Sequence, residues 1–202
     1  MAKKTVKKKK TVKKKKTAQK MIKKSPLKPR KKNVAKTSRQ ETELAPLALG
    51  SESTQYDNEY NPGALEKIKN QHAGKTSWVS FICTEFTSLC PKTNQPDFAK
   101  VFINYVPGDH LVESKSLKLY LFSFRNHGDF HEDCMQTICN DIVKLIKPKY
   151  LEVIGEFTPR GGIAIFPYSQ HHNNTKQFKE LAQERFEDYS PGRYSMPLSN
   201  LY

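Results

Sequence analysis

Residues 78–89 alternate so that Trp78, Ser80, Ile82 and Thr84 share one face of an extended chain and Val79, Phe81, Cys83 and Glu85 the other. Aromatic and β-branched side chains dominate the run, which predicts a strand. Residues 98–106 repeat the pattern, with Val101, Ile103 and Tyr105 opposite Phe102 and Asn104. The loop between the two is short, so they are expected to be antiparallel neighbours. Residues 111–126 fit two periods. Leu117, Leu119 and Leu121 alternate like a strand, whereas Leu117, Tyr120, Leu121 and Phe124 fall at helical spacing. A helix is favoured, because Ser114 or Ser116 can cap its start and Gly128 can close its end. Residues 131–147 carry the apolar stripe Met135, Ile138, Ile142, Leu145, Ile146, with acids ahead of it, lysines in the last turn and Pro148 behind. Two further strands are expected over 150–157 and 162–168, and a short helix over 176–185.

The predicted order of the main elements is ββααββ. Paired strands and paired helices make an α+β domain, a four-stranded antiparallel sheet with two helices on one face. Such a sheet has a second face and two edges to cover, and oligomerisation is one way to cover them.

Charge changes this picture only at one end. The formal charge is +15 over 202 residues. Residues 1–40 hold 17 Lys, 2 Arg and no acid, while the other 162 residues carry 16 basic and 20 acidic side chains. Any argument for nucleic acid from charge is confined to that tail. The tail repeats, Thr5-Val6 and Thr11-Val12 each leading into four lysines, and holds too little apolar surface to order. No apolar segment of a secretory signal follows the lysines, and no run of about 18 apolar residues could span a membrane. Four cysteines without a signal read as free thiols, in a cytoplasmic setting. The expected boundaries are a disordered Lys-rich tail over 1–50, a polar lead-in over 51–74, one compact domain over 75–190 and a loose tail over 191–202. The lead-in is given a turn at Asn61-Pro62-Gly63 and one or two helical turns over 64–70, with order beginning near Thr76.

Three stretches carry candidate chemistry. Pro91 ends the first strand at Cys90, and Asp97 follows across a polar loop. A thiol there can attack an electrophilic carbon and a carboxyl group can hand over a proton, and Lys92 adds a charge that favours the thiolate. A strand-end cysteine can equally be structural. Residues 113–118, Glu-Ser-Lys-Ser-Leu-Lys, are either a solvated helix start or an anion site of hydroxyls, helix amides and two lysines on one face, to which Arg160-Gly161-Gly162 can add a guanidinium. No GxGxxG follows a strand, so a Rossmann fold is not supported. Residues 126–134, Asn-His-Gly-Asp-Phe-His-Glu-Asp-Cys, are either an acid-rich helix start or a ligand site. No HExxH occurs and no metal is expected. Glu132 can accept two adjacent N–H donors, as a guanine-like ring presents.

Taken together, F-T-S-L-C-P-x-T-x-Q-P-D-F over 86–98, E-S-K-S-L-K-L-Y over 113–120, F-R-N-H-G-D-F-H-E-D-C over 124–134 and F-T-P-R-G-G over 157–162 resemble the NADPH-dependent 7-cyano-7-deazaguanine reductases, the nitrile reductases of queuosine biosynthesis. The match runs from about Ser77 to Tyr168. The resemblance implies the tunnelling fold, in which small sheet-plus-two-helix subunits assemble into an oligomeric barrel with active sites between subunits. It implies reduction of the nitrile of 7-cyano-7-deazaguanine to the aminomethyl product by two hydrides from NADPH. In that family Cys90 falls at the nucleophile that forms a covalent thioimide, and Asp97 at the general acid. His131 and Glu132 fall where the deazaguanine ring is held, and Val112, Glu113 and Ser114 at a second substrate segment. Lys115, Lys118 and Arg160 fall at the cofactor phosphates. Cys134, on the same helix as Glu132, is then a candidate for a reversible disulfide with Cys90. Cys83 and Cys139 read as core. The lysine tail is not part of the family pattern, and weak contact with RNA or another polyanion is one use for it. The alternatives are another tunnelling-fold enzyme acting on a purine or pterin, and a nucleic-acid-binding protein acting through residues 1–40.

Overall fold

The computed structural model describes residues 56–193. The tail expected over 1–50 and the last residues, 194–202, lie outside the described residues.

Strands β2 (Val79–Leu89), β3 (Pro96–Val106), β5 (Tyr150–Phe157) and β6 (Tyr168–His172) form one antiparallel sheet in the order β2-β3-β5-β6. Helices α1 (Ser114–Phe122) and α2 (His131–Ile146) lie between β3 and β5 in sequence. The ββααββ order and the α+β class are therefore those observed. Both helices pack on one face. Val101, Ile103 and Tyr105 of β3, Leu151 and Val153 of β5, Leu117, Tyr120 and Leu121 of α1, and Met135, Ile138 and Ile142 of α2 form one buried cluster. The helix comes close at Gly155, where a Cβ would lie 2.9 Å from Met135 Sδ and 2.8 Å from the Phe157 ring. Only a residue without a side chain lets α2 sit this near to β5.

Five expectations need correction. The segment 64–70 is not helical: a single 3-10 turn, Pro62–Ala64, leads into β1 (Lys67–Lys69), which pairs antiparallel with β4 (His110–Val112). Order begins well before Thr76, since Leu65 is buried and the Tyr60 hydroxyl donates to Asp141 on α2. Within 111–126, Leu111 belongs to β4, α1 covers nine residues, and the chain tightens into a 3-10 turn over Ser123–Asn126. The α1 cap is Glu113, which accepts from the amides of Lys115 and Ser116, while the Ser116 hydroxyl turns inward to the Glu113 carbonyl. The last strand begins at Tyr168, not near Gly162. Gly161 and Gly162 take φ of 57° and 82°, and Pro167 has no N–H to give a ladder. Residues 163–167 follow β5 through only two bonds, Gly155 N–H to Pro167 O and Phe157 N–H to Ile165 O.

A third helix, α3 (Lys176–Glu187), extends the short helix expected over 176–185 and covers part of the second face. Phe178 and Ala182 pack on Val106 and Tyr150. Beneath α3, Glu152 is fully buried and accepts from Asn104, Tyr150, Tyr168 and Arg185. Ile82 and Phe98 remain exposed on that face. No helix among the described residues is long and apolar enough to cross a membrane.

Candidate active site

The β2–β3 hairpin puts Cys90 and Asp97 on the same face. Ser88 pairs directly with Asp97 in register, and the Cys90 N–H to Gln95 O bond continues the ladder one step further. Cys90 and Asp97 are thus diagonal neighbours, a relation that spans roughly 7 Å between backbone positions. Asn94, with φ of 58°, closes the loop by donating to the Cys90 carbonyl.

On β2, the face that Cys90 points to is set by a bulge. The register shifts between Cys83 and Phe86, so β2 gains one residue against β3. Before the shift Val79, Phe81 and Cys83 face the helices; after it Phe86 does, and with it Ser88 and Cys90. Without the extra residue the period of two would turn Cys90 away from α2.

The helix α2 begins beside this hairpin. Leu89 and Gly128 form a parallel bridge, held by Leu89 N–H to His127 O and Asp129 N–H to Leu89 O. His131, the first residue of α2, is buried and stacks on Phe157 at 3.9 Å between ring centres. Its Nε2 lies 3.1 Å from Asp97 Oδ2 without hydrogen-bond alignment. Arg160 reaches the same carboxylate from the glycine turn, with Nε 2.8 Å from Oδ1 and Nη2 3.4 Å from Oδ2. Asp97 itself is 3% exposed.

The Cys90 thiol is held down to about 6. The Thr93 hydroxyl contributes most, followed by the amides of Lys92 and Thr93 and then the Arg160 guanidinium. A Cys90 thiolate at neutral pH is therefore expected. Cys134, one turn into α2, is the opposite case. Burial, ahead of the Asp129 charge, pushes its thiol up to about 12. Both cysteines are free. A buried thiol that stays protonated is a poor partner for exchange, which weighs against a disulfide with Cys90. Cys139 is buried and Cys83 packs against the core.

Glu132 is exposed on the first turn of α2, beside His131. Val112, Glu113 and Ser114 are elsewhere. The Val112 amide donates to the Tyr105 hydroxyl, and Tyr105 lies eight residues along β3 from Asp97. At about 3.3 Å per residue, roughly 25 Å of strand separates the two ends. The Glu113 carboxylate is occupied as a cap; burial works to raise its pKa, but the amides of Lys115 and Ser116 outweigh that and hold it below the usual carboxylate value. The first amides of α1 are consequently taken by Glu113 rather than open to an anion. Lys118 is exposed, with Nζ 5.8 Å from the Tyr56 ring centre, and Lys115 is half-buried next to the cap. Arg160 is at the Asp97 end. Two grooves flank these positions. One, of about 530 Å³, is lined by Ser114, Lys118, Phe81, Ile82, Glu85 and Tyr56 among others. The other, of about 560 Å³, runs past Phe86, Phe98, Arg125, Glu156, Phe157 and Phe166. Neither includes Cys90 or Asp97.

Sequence reasoning did not put Arg160 on Asp97, because 63 residues separate them and only the sheet brings them together. Nor did it find Ser88 or Thr93, since a single hydroxyl in a strand or turn carries no pattern.

A family model described as QueF-like protein matches residues 96–176. The chain is 64% identical over 167 residues to the NADPH-dependent 7-cyano-7-deazaguanine reductase of Bdellovibrio bacteriovorus, covering 83% of this chain and 98% of that one. It is 54% identical over 150 residues to the reductase of the same name from Bacillus subtilis, covering 74% and 91%. The apo archaeosine synthase QueF-Like is 18% identical, with a TM-score of 0.46 over 50% of this chain and 99% of that one, a likeness too low to bear on the reading.

Proposed function

The chain belongs to the NADPH-dependent 7-cyano-7-deazaguanine reductases, and from that premise we propose that it reduces the nitrile of 7-cyano-7-deazaguanine to an aminomethyl group through a thioimide on Cys90. The observation that carries the mechanism is a thiol lowered to about 6 diagonally across a hairpin from a buried carboxyl group. A nitrile carbon is a poor acceptor for direct hydride attack. Addition of Cys90 splits that step: the S–C bond forms, one C≡N electron pair moves to nitrogen, and Asp97 gives nitrogen a proton. His131, 3.1 Å from Asp97, is suited to return that proton. Glu132, open to solvent beside His131, offers a carboxylate to the N–H edge of the ring.

NADPH supplies the hydrides when bound. The cations of this chain suit its phosphates, with Lys115 and Lys118 on α1 and Arg160 on the glycine turn. The α1 amides do not contribute, being capped by Glu113.

The site also calls for a second copy of the chain. Val112–Ser114 and Asp97 lie at opposite ends of β3, so one protomer does not bring both substrate segments to one ring. The outer edges of β2 and β6 are suited to pairing between copies into a closed barrel, and Ile82 and Phe98, exposed on the second face, to burial within it. Light scattering should find an oligomer, and a monomer with full turnover would contradict this. For residues 1–40 the charge of +19 favours weak contact with RNA or another polyanion. Deleting them should lower RNA retention at low salt, and unchanged retention would sink that idea. NADPH and a reduced thiol both suit a cytoplasmic setting.

The direct test is loss of NADPH absorbance on adding 7-cyano-7-deazaguanine. Wild-type-like turnover by a folded Cys90→Ala variant would refute the mechanism.

A further inference from the structure

Ser88 is fully buried, and its hydroxyl has no hydrogen-bond partner. Leaving such a group dry and unpaired forfeits its hydration with nothing in return, and native interiors hold few of them. Its surroundings do not remove the cost. Cys134 is near enough for Ser88 to offset part of the rise in the thiol's pKa, but the pair lacks hydrogen-bond geometry. A thiol is in any case a weak acceptor.

The position of Ser88 suggests where its partner is. It is the direct register partner of Asp97 across β2 and β3: the bulge in β2 turns Ser88 to the helix face, where the unbroken alternation of β3 through Ala99, Val101 and Ile103 also places Asp97. Directly opposed residues hold their Cβ atoms about 4.5–5.5 Å apart. A turn about χ1 therefore brings the Ser88 hydroxyl within reach of the Asp97 carboxyl group. In the structure both carboxylate oxygens are engaged, Oδ1 by Arg160 Nε and Oδ2 by Arg160 Nη2 and His131. Arg160 is the partner most able to leave. It is part-exposed and sits on a two-glycine turn whose glycines have open space around them.

We propose that Ser88 is a positioning residue for Asp97, a buried hydroxyl kept in reserve to hydrogen-bond the carboxyl group when substrate displaces Arg160. This rests on the reading of Asp97 as proton donor to the nitrile nitrogen. As the proton leaves for nitrogen, negative charge develops on the carboxylate, and Ser88 O–H donates into it. Ser88 touches neither substrate nor cofactor. Its effect is to fix which oxygen carries the proton and to stabilise the anion left behind.

The test is the rate of Cys90 adduct formation in full-length protein mixed with 7-cyano-7-deazaguanine and no NADPH, followed by intact mass. Ser88→Ala should slow adduct formation roughly ten- to hundredfold, the worth of one hydrogen bond to a charged group. In turnover assays kcat should fall by a similar factor with KM within about threefold. The melting temperature should stay the same or rise, because an unpaired buried hydroxyl has been removed. In an Asp97→Asn background Ser88→Ala should have little further effect, because the group it serves is gone. Wild-type adduct rates in Ser88→Ala overturn the proposal. So does a fall in melting temperature, with or without a fall in rate, since the hydroxyl is then structural. Absence of any adduct in the unsubstituted protein fails the reading of Cys90 itself and removes the basis for Ser88 with it.

Discussion

Asp97 and Glu152 are both carboxylates buried in the same sheet, and both are held by an arginine. Their surroundings differ in kind. Glu152, 0% exposed, accepts from Asn104, Tyr150 and Tyr168, while Arg185 holds both its oxygens. Trp78 stacks on Tyr150, and Arg185 lies over the Trp78 ring. Burial pushes the Glu152 carboxyl up, but Arg185 with Tyr150 and Asn104 outweighs it and holds the group below its usual value. Asp97 has an arginine on a glycine turn, a histidine that is close but unaligned, and an unpartnered serine opposite. A carboxylate whose donors are all satisfied has no free donor nearby and serves the fold, fixing α3 to the second face. A carboxylate held by one part-exposed arginine, with a histidine and a serine close by but unpaired, is arranged for another state of the molecule.

The largest expected effect separates the two regions outright. Cys90→Ala should abolish turnover and leave the melting temperature within a few degrees, because its side chain lies at the loop and not in the core. Asp97→Asn should lower kcat about 10²–10⁴-fold, measured by NADPH oxidation, again with the protein folded. Glu152→Gln reverses the pattern. Breaking a buried charge pair from one side costs about 3–5 kcal/mol, so denaturant unfolding should shift strongly, while the folded fraction keeps its Cys90 chemistry. The pH dependence follows from the direction of the Glu152 shift. A depressed folded value adds stability above the ordinary carboxylate range, and that stability is lost as pH falls through the lowered value. Glu152→Gln should therefore flatten the acid limb of the stability curve. A kcat loss in Glu152→Gln equal to that in Asp97→Asn, with stability intact, would break the comparison.

Smaller effects sharpen it. Gly155→Ala should cost about 1–3 kcal/mol through the clash with Met135 and Phe157. The smallest is local to the nucleophile. Thr93 is the main cause of the low Cys90 pKa. Iodoacetamide labelling of Cys90 should rise with pH around a midpoint near 6, and Thr93→Ala should move that midpoint upward. An unmoved midpoint would put the cause elsewhere.

The contrast also marks what was legible in the sequence. The long strands and α2 could be read because each keeps one period over many residues, and Cys90 and Asp97 stood out because two prolines bound their loop. The three-residue strands β1 and β4 could not be read, since Lys67–Lys69 has no period of its own and exists by pairing with His110–Val112. The bulge was invisible for the same reason: an alternation read from Trp78 onward assumes no residue is inserted, and the insertion is what turns Cys90 to the helix side. The Glu113 cap has no distinguishing mark beside the neighbouring serines, which favour the same position, although its carboxylate is what reaches the amides. Arg160 on Asp97 and Arg185 on Glu152 are both long-range pairings, so composition and spacing hold no trace of them.

The central claim is that Cys90 is the nucleophile of a nitrile-reducing site. Incubating the protein with 7-cyano-7-deazaguanine in the absence of NADPH and measuring its intact mass tests this most directly. The expected result is a gain equal to one whole substrate molecule, mapped to Cys90 by peptide digestion and absent in Cys90→Ala. No mass gain, or an adduct that persists in Cys90→Ala, would contradict it.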